Sequence, residues 1–208
     1  MVMAPPIAEP SRAAAARRGR NLEYFTIAWN SAEGLLSIAA GILAGSIALV
    51  GFGLDSFVEV TSGAALLWRM AVDQDEHQRE RNEKRALHIV GVCFVALALY
   101  VAADAIKTVV TRAAPERSAL GIAIAAASLI VMPLLARSKR RVASELSSAA
   151  MRADSRQTDF CTYLSAILLG GLGANWLLGW WWADPAAALL IAVEGVRALR
   201  GEACDDCG

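Results

Sequence analysis

Ile47-Ala48-Leu49-Val50-Gly51-Phe52-Gly53-Leu54-Asp55-Ser56-Phe57-Val58-Glu59-Val60-Thr61-Ser62-Gly63-Ala64-Ala65-Leu66-Leu67-Trp68 is the stretch that decides the fold. It is long enough to cross a bilayer core of about 30 Å, which takes about 20 apolar residues, and yet it carries two carboxylates. An ionisable side chain at the centre of a span costs at least about 2.5–3.5 kcal/mol, so such residues face a cavity or a partner. Asp55 and Glu59 stand four positions apart and share one helix face, a turn from each other. Like charges at that spacing repel, and hydrocarbon screens them poorly. A divalent cation or an exchangeable proton would satisfy the pair.

Working outward, this second span runs on to about Val72, and a first span from about Leu22 to Ala44 precedes it. Only Gly45 and Ser46 separate the two, which makes a tight hairpin. The polar segment from Asp73 to Arg85 follows. A third span covers about Ala86 to Val110, and a fourth about Ser118 to Ala136, with Ala114-Pro115-Glu116 turning between them. Arg137-Ser138-Lys139-Arg140-Arg141 ends the fourth. The fifth begins between Val142 and Met151 and ends near Gly173. Asp184 suits an N-cap and Pro185 a first turn, so a sixth helix runs from there to about Arg200. The expected fold is an all-α membrane protein, a bundle of six transmembrane helices over residues 22–200. A flexible tail (1–21) is expected before it and a short cytoplasmic tail (201–208) after it.

Composition agrees. The 208 residues are 56% hydrophobic, above the roughly 45–50% of soluble domains. Formal net charge is zero, which gives no indication of a nucleic-acid partner. Arg12, Arg17, Arg18 and Arg20, the cluster from Arg69 to Arg85, the run Arg137 to Arg141, and Arg197 and Arg200 all fall on one side. Lys107, Arg112 and Arg117 fall on the other. Positive residues favour the cytoplasm, so both termini are expected inside, with Trp176, Trp180, Trp181 and Trp182 at the outer interface. The expected location is the cell (plasma) membrane.

The fifth span carries Asp154, Gln157 and Thr158, a carboxylate, an amide and a hydroxyl on one face. Asp159 points elsewhere by phase and is expected to pair with Arg152 or Arg156. Leu54-Asp55-Ser56 and Ala153-Asp154-Ser155 echo each other, as suits a site shared between two halves of a transporter. With Asp55 and Glu59, Asp154, Thr158 and Gln157 make the candidate metal set. By helical rise Asp154 lies deeper than Asp55; if it sits a full turn or more inward, Glu59 is its closer partner. Asn30, Glu33 and Ser56 are candidate supporting or proton-linked groups, and Glu33 is alternatively a packing residue paired with a polar neighbour. Gly41 to Gly45 reads as a small-xxx-small packing stretch. Pairs are expected between Asp104 and Lys107 and between Glu194 and Arg197. His77 and His88 read as a solvated loop residue and an interfacial residue. Cys204 and Cys207, at CxxC spacing, either capture a soft metal ion in the cytosol or belong to an idle tail. No nucleophile, metal-histidine cluster or phosphate-binding loop points to an enzyme.

These motifs resemble the cation diffusion facilitator (cation efflux) family. Gly41-Ile42-Leu43-Ala44-Gly45-Ser46-Ile47-Ala48-Leu49-Val50 resembles its first hairpin, and Asp55-Ser56-Phe57-Val58-Glu59 its second-helix metal motif. Asp154-Ser155-Arg156-Gln157-Thr158 stands where its fifth-helix motif lies, and Asp184-Pro185 resembles the opening of its sixth helix. The resemblance implies a homodimer in the lipid bilayer that exports Zn²⁺, Mn²⁺, Fe²⁺ or Co²⁺ as transported ion, with no other cofactor, in exchange for protons. Two departures stand out. Thr158 replaces a customary carboxylate, and neither motif holds histidine, so an oxygen-only set leans toward harder ions such as Mn²⁺. The family's cytoplasmic C-terminal domain has no counterpart in the short stretch after Arg200, which would leave dimerisation to the membrane helices. The alternative function is a non-transporting metal sensor or assembly protein using the same carboxylates.

Overall fold

The computed structural model of the protein describes residues 9–71, 99–103, 105–111 and 115–199. Six helices account for almost all of them: α1 (Glu9–Ala44), α2 (Ile47–Ala71), α3 (helical at 99–103 and 105–111), α4 (Ala119–Leu146), α5 (Ala149–Leu178) and α6 (Ala183–Leu199). No strand occurs among the described residues. The expected all-α fold is therefore what forms. Among the described residues four helices are long and apolar enough to cross a membrane, within Ala13–Ala44, Ile47–Trp68, Ala119–Leu146 and Met151–Leu178; α6 contributes a shorter apolar stretch, Ala183–Val193.

The α1–α2 hairpin turns where the sequence places it. Gly45 takes φ +64°, the left-handed conformation that a side chain resists, and Ser46 N donates to Gly41 O to close the turn. Below the turn the two helices meet backbone to backbone. A Cβ on Gly34 would lie 2.9 Å from Gly53 O, and one on Gly53 would lie 2.8 Å from Gly34 O. This close approach fixes Glu33 of α1 beside the Asp55 turn of α2. Gly41 also packs, against Val50, whereas nothing lies within 4 Å of a Cβ built on Gly45. The Gly41–Gly45 stretch thus divides into one packing glycine and one turn glycine.

Three helix ends differ from expectation. Residues 9–21, expected in a flexible tail, continue α1, since the alanines and arginines there are strong helix formers and Ala15 is buried. The fourth helix does not stop at the basic run but carries it to Leu146, where Ser147 adopts the left-handed conformation. The fifth extends past Gly173 to Leu178 and ends at Gly179, φ +68°. Asp184 lies within α6 rather than before it, and its carboxylate caps a different helix. It accepts from Ser46 Oγ and, at 3.5 Å, from Ala48 N in the first turn of α2, a helix end that attracts negative charge. That contact clasps α6 to the hairpin.

Polarity runs inside out. On α1 the buried positions include Glu23, Thr26, Asn30, Glu33 and Ser37, at three- and four-residue spacing, while Leu35, Leu36, Ile42 and Leu43 are exposed. Such a stripe makes sense when lipid, not water, covers the outside. Across the bundle the polar layer lies between two apolar clusters. One gathers Leu49, Phe52, Val101, Ala125, Leu164 and Ala188; the other gathers Leu66, Val142, Ala143 and Met151. On α2 the polar layer falls between Phe52 and Leu66, the segment that holds Asp55 and Glu59.

Candidate metal site

Helical phase sets the site. Asp55 and Glu59, one turn apart on α2, face α5, where Thr158 and Cys161 stand three residues apart on the facing stripe. Thr158 Oγ1 donates to Glu59 Oε1 at 2.7 Å. Cys161 Sγ lies 2.7 Å from Glu59 Oε2 and 3.4 Å from Asp55 Oδ2, so its single proton bridges the two carboxylates. All four side chains are buried. The Ser56 hydroxyl, also buried, turns back to Phe52 O of its own helix. Cys161, a cysteine within an apolar stretch, is not among the ligands expected from the sequence, although it stands three residues beyond Thr158 on the same face.

Glu33 comes from α1. Trp29 Nε1 donates to its Oε2 at 2.6 Å and Ser128 Oγ of α4 donates to its Oε1 at 3.0 Å. It stays within electrostatic reach of Asp55 and Glu59. Asn30 donates to Thr26 O, leaving its Oδ1 buried without a partner.

Asp154 is placed elsewhere. One turn before Thr158 on α5, it accepts from Lys139 Nζ at 2.5 Å and from Ser62 Oγ at 3.0 Å. Lys139, in the basic run of α4, is fully buried and also donates to Glu23 Oε2 of α1 at 3.3 Å. The three charged groups join α1, α4 and α5, with Ser62 adding α2. Of the candidate metal set, the structure therefore brings together Asp55, Glu59 and Thr158, and holds Asp154 a turn deeper with the Lys139 ammonium. Gln157 has its Nε2 buried without a hydrogen-bond partner. Asp159 pairs with Arg140 of α4, where helix packing sets that arginine against it.

Electrostatically the interior is short of positive charge. Among the described residues six carboxylates are buried, Glu23, Glu33, Asp55, Glu59 and Asp154 along the interior and Asp184 at the hairpin, against one buried ammonium, Lys139. Isolated buried charge is costly, so such a set holds cations or protons. Among the described residues no three His, Cys, Asp or Glu side chains stand as a ready-made metal cage; the donors are turned onto one another through Cys161 and Thr158. His77, His88, Asp104, Cys204 and Cys207, and the side chains of Glu194 and Arg197, lie outside the described residues.

A helical bundle with an apolar outside and carboxylates lining its interior defines a polytopic membrane protein. The comparison with known proteins agrees: residues 25–194 match the cation efflux transmembrane domain. The chain belongs to that family and is an integral, multi-pass membrane protein. It is 26% identical over 175 residues to an uncharacterized transporter of Synechocystis sp. (strain ATCC 27184 / PCC 6803 / Kazusa), an alignment covering 79% of this chain and 56% of that protein. It is 31% identical over 123 residues to transmembrane protein 163 of Xenopus laevis, covering 58% of this chain and 43% of that protein. The chain thus spans about half the length of these curated relatives.

Proposed function

We propose that this protein carries a divalent metal ion across a membrane, with Asp55 and Glu59 as its anionic ligands and Thr158 and Cys161 completing the site from α5. The observation that carries this reading is the buried pair Asp55 and Glu59, bridged by the Cys161 thiol between two apolar clusters. Two carboxylates match the charge of a divalent ion. A thiol beside them adds a soft donor, so the set suits Zn²⁺ or Co²⁺ as well as Mn²⁺ or Fe²⁺. Metal ligands bind deprotonated, so cargo binding releases protons and proton uptake releases cargo. That competition is the chemical basis for metal–proton antiport. Efflux from the cytoplasm, both termini cytoplasmic, and a homodimer formed through the helices complete the proposal.

The test is transport of Zn²⁺, Mn²⁺ or Co²⁺ into proteoliposomes under an imposed pH gradient. Flux that rises with the gradient and disappears in Asp55→Ala supports the reading. Metal binding without flux would instead identify a sensor or assembly protein, and unchanged flux in Asp55→Ala would sink the site.

A further inference from the structure

A second charged cluster lies about one turn, roughly 5.4 Å of helix rise, from the Asp55–Glu59 pair. On α2 it is marked by Ser62, three residues beyond Glu59, and on α5 by Asp154, four before Thr158. Glu23 enters from α1. Its carboxylate approaches α2 where no side chain stands in the way: a Cβ on Gly63 would lie 3.2 Å from Glu23 Oε2. Glu23 and Asp154 are 0% and 4% exposed. Their four carboxylate oxygens and the Ser62 hydroxyl make a concentration of oxygen donors on three helices.

Lys139 of the fourth helix supplies an ammonium to this cluster, and it does not saturate it. Among the described residues the two carboxylates against one ammonium leave one formal negative charge, with the Glu59 carboxylate of the neighbouring pair also within electrostatic reach of Lys139, and Glu23 Oε1, fully buried, has no hydrogen-bond partner. A divalent ion in place of the ammonium would neutralise both carboxylates and give Glu23 Oε1 a partner. Oxygen-rich donors of this kind suit ions such as Mn²⁺, Co²⁺ and Mg²⁺. Lysine is suited to a removable occupant, being a point charge on a flexible four-carbon stem.

We propose that Glu23, Asp154 and Ser62 form a second divalent-cation station, which the Lys139 ammonium fills as a tethered competitor. An ion moving between the Asp55–Glu59 pair and the end of the bundle where α4 leads into α5 meets this station next, and it passes by displacing the lysine. The role in transit rests on the transport reading; the capacity to bind an ion does not.

The experiment uses the full chain in detergent and Co²⁺ as probe, counted by equilibrium dialysis and metal analysis. Asp55→Asn with Glu59→Gln removes the pair and leaves a weak Co²⁺ site, because the ammonium competes. Adding Lys139→Met, or Lys139→Gln as a second variant, tightens that site about 100-fold, to about one ion per chain. Adding Glu23→Gln and Asp154→Asn abolishes it. No gain of affinity in a Lys139 variant that keeps its helical circular dichroism would overturn the station. Should both Lys139 variants fail to fold, Glu23→Gln in the Asp55→Asn/Glu59→Gln chain decides, since loss of the weak site supports the station and its persistence refutes it. Tight Co²⁺ binding by Asp55→Asn/Glu59→Gln that survives Glu23→Gln and Asp154→Asn refutes the station and the pair together. Normal loss of the pair's ion with no effect of Lys139 refutes the station alone.

Discussion

Lys139→Met tests whether a single buried ammonium holds four helices together. In the native chain Nζ lies 2.5 Å from Asp154 and 3.3 Å from Glu23, and neither lysine nor Glu23 is exposed. Removing the ammonium leaves two carboxylates facing each other out of water. Breaking a buried pair by deleting one partner costs about 3–5 kcal/mol, chiefly from the charge left behind. Against a native stability of about 5–15 kcal/mol that is a large fraction. Removing all the charges is a different perturbation, because replacing a whole buried ion cluster is often close to neutral. Lys139→Met with Glu23→Gln and Asp154→Asn therefore recovers most of the loss. The assay is denaturant unfolding in mixed micelles, followed by circular dichroism, with each variant compared at the same detergent composition. A Lys139→Met loss below about 1 kcal/mol would show that this ammonium does not act as a buried structural charge, since a surface-exposed pair contributes no more than that.

Other substitutions separate the parts of the structure. Cys161→Ser keeps a small hydroxyl donor but removes the soft ligand; Zn²⁺ affinity falls by about tenfold or more while Mn²⁺ affinity changes by less than about threefold, as measured by competition titration. Gly53→Ala drives a Cβ to 2.8 Å from Gly34 O, which costs about 1–3 kcal/mol of overpacking and lowers the unfolding midpoint. Asp184→Ala deletes the clasp on Ser46 and Ala48, destabilising the fold by about 1–3 kcal/mol without changing the number of metal ions bound. Apparent metal affinity in the wild type weakens as pH falls, because protons compete for ligand oxygens, and a pH-independent titration would contradict carboxylate ligation.

The hairpin, the spans and the Asp55–Glu59 pair were legible in the sequence because each has a local cause. Apolar length sets a span, Gly45 sets a turn, and two carboxylates at i, i+4 in a span demand an explanation on their own. Lys139 was concealed by its neighbours: within Arg137 to Arg141 it reads as one more cytoplasmic charge. Its phase carried the missing signal. Met132, Leu135, Ala136, Val142 and Ala143 are buried on α4, and extending that period through the basic run puts residue 139 on the same face. Glu23 was missed similarly, at the margin of a tail, although it continues the stripe of Thr26, Asn30, Glu33 and Ser37. The depth of Asp154 depends on how far α5 extends past Gly173 and on how it packs against α4. Those are tertiary facts, and helical rise alone gave only the warning that Asp154 lies deeper than Asp55. Asp184 was read as a cap for its own helix, and only the return of α6 against the hairpin reveals that it caps α2.

Radiometric or fluorescent metal uptake into proteoliposomes, run in parallel for wild type, Asp55→Asn, Glu59→Gln and Asp159→Asn at a fixed pH gradient, tests whether the α2 pair carries the transported ion. Asp55→Asn and Glu59→Gln each abolish flux, while Asp159→Asn, which alters a partly exposed pair with Arg140, leaves it near the wild-type rate. Wild-type flux from either variant of the α2 pair would show that these carboxylates do not carry the ion.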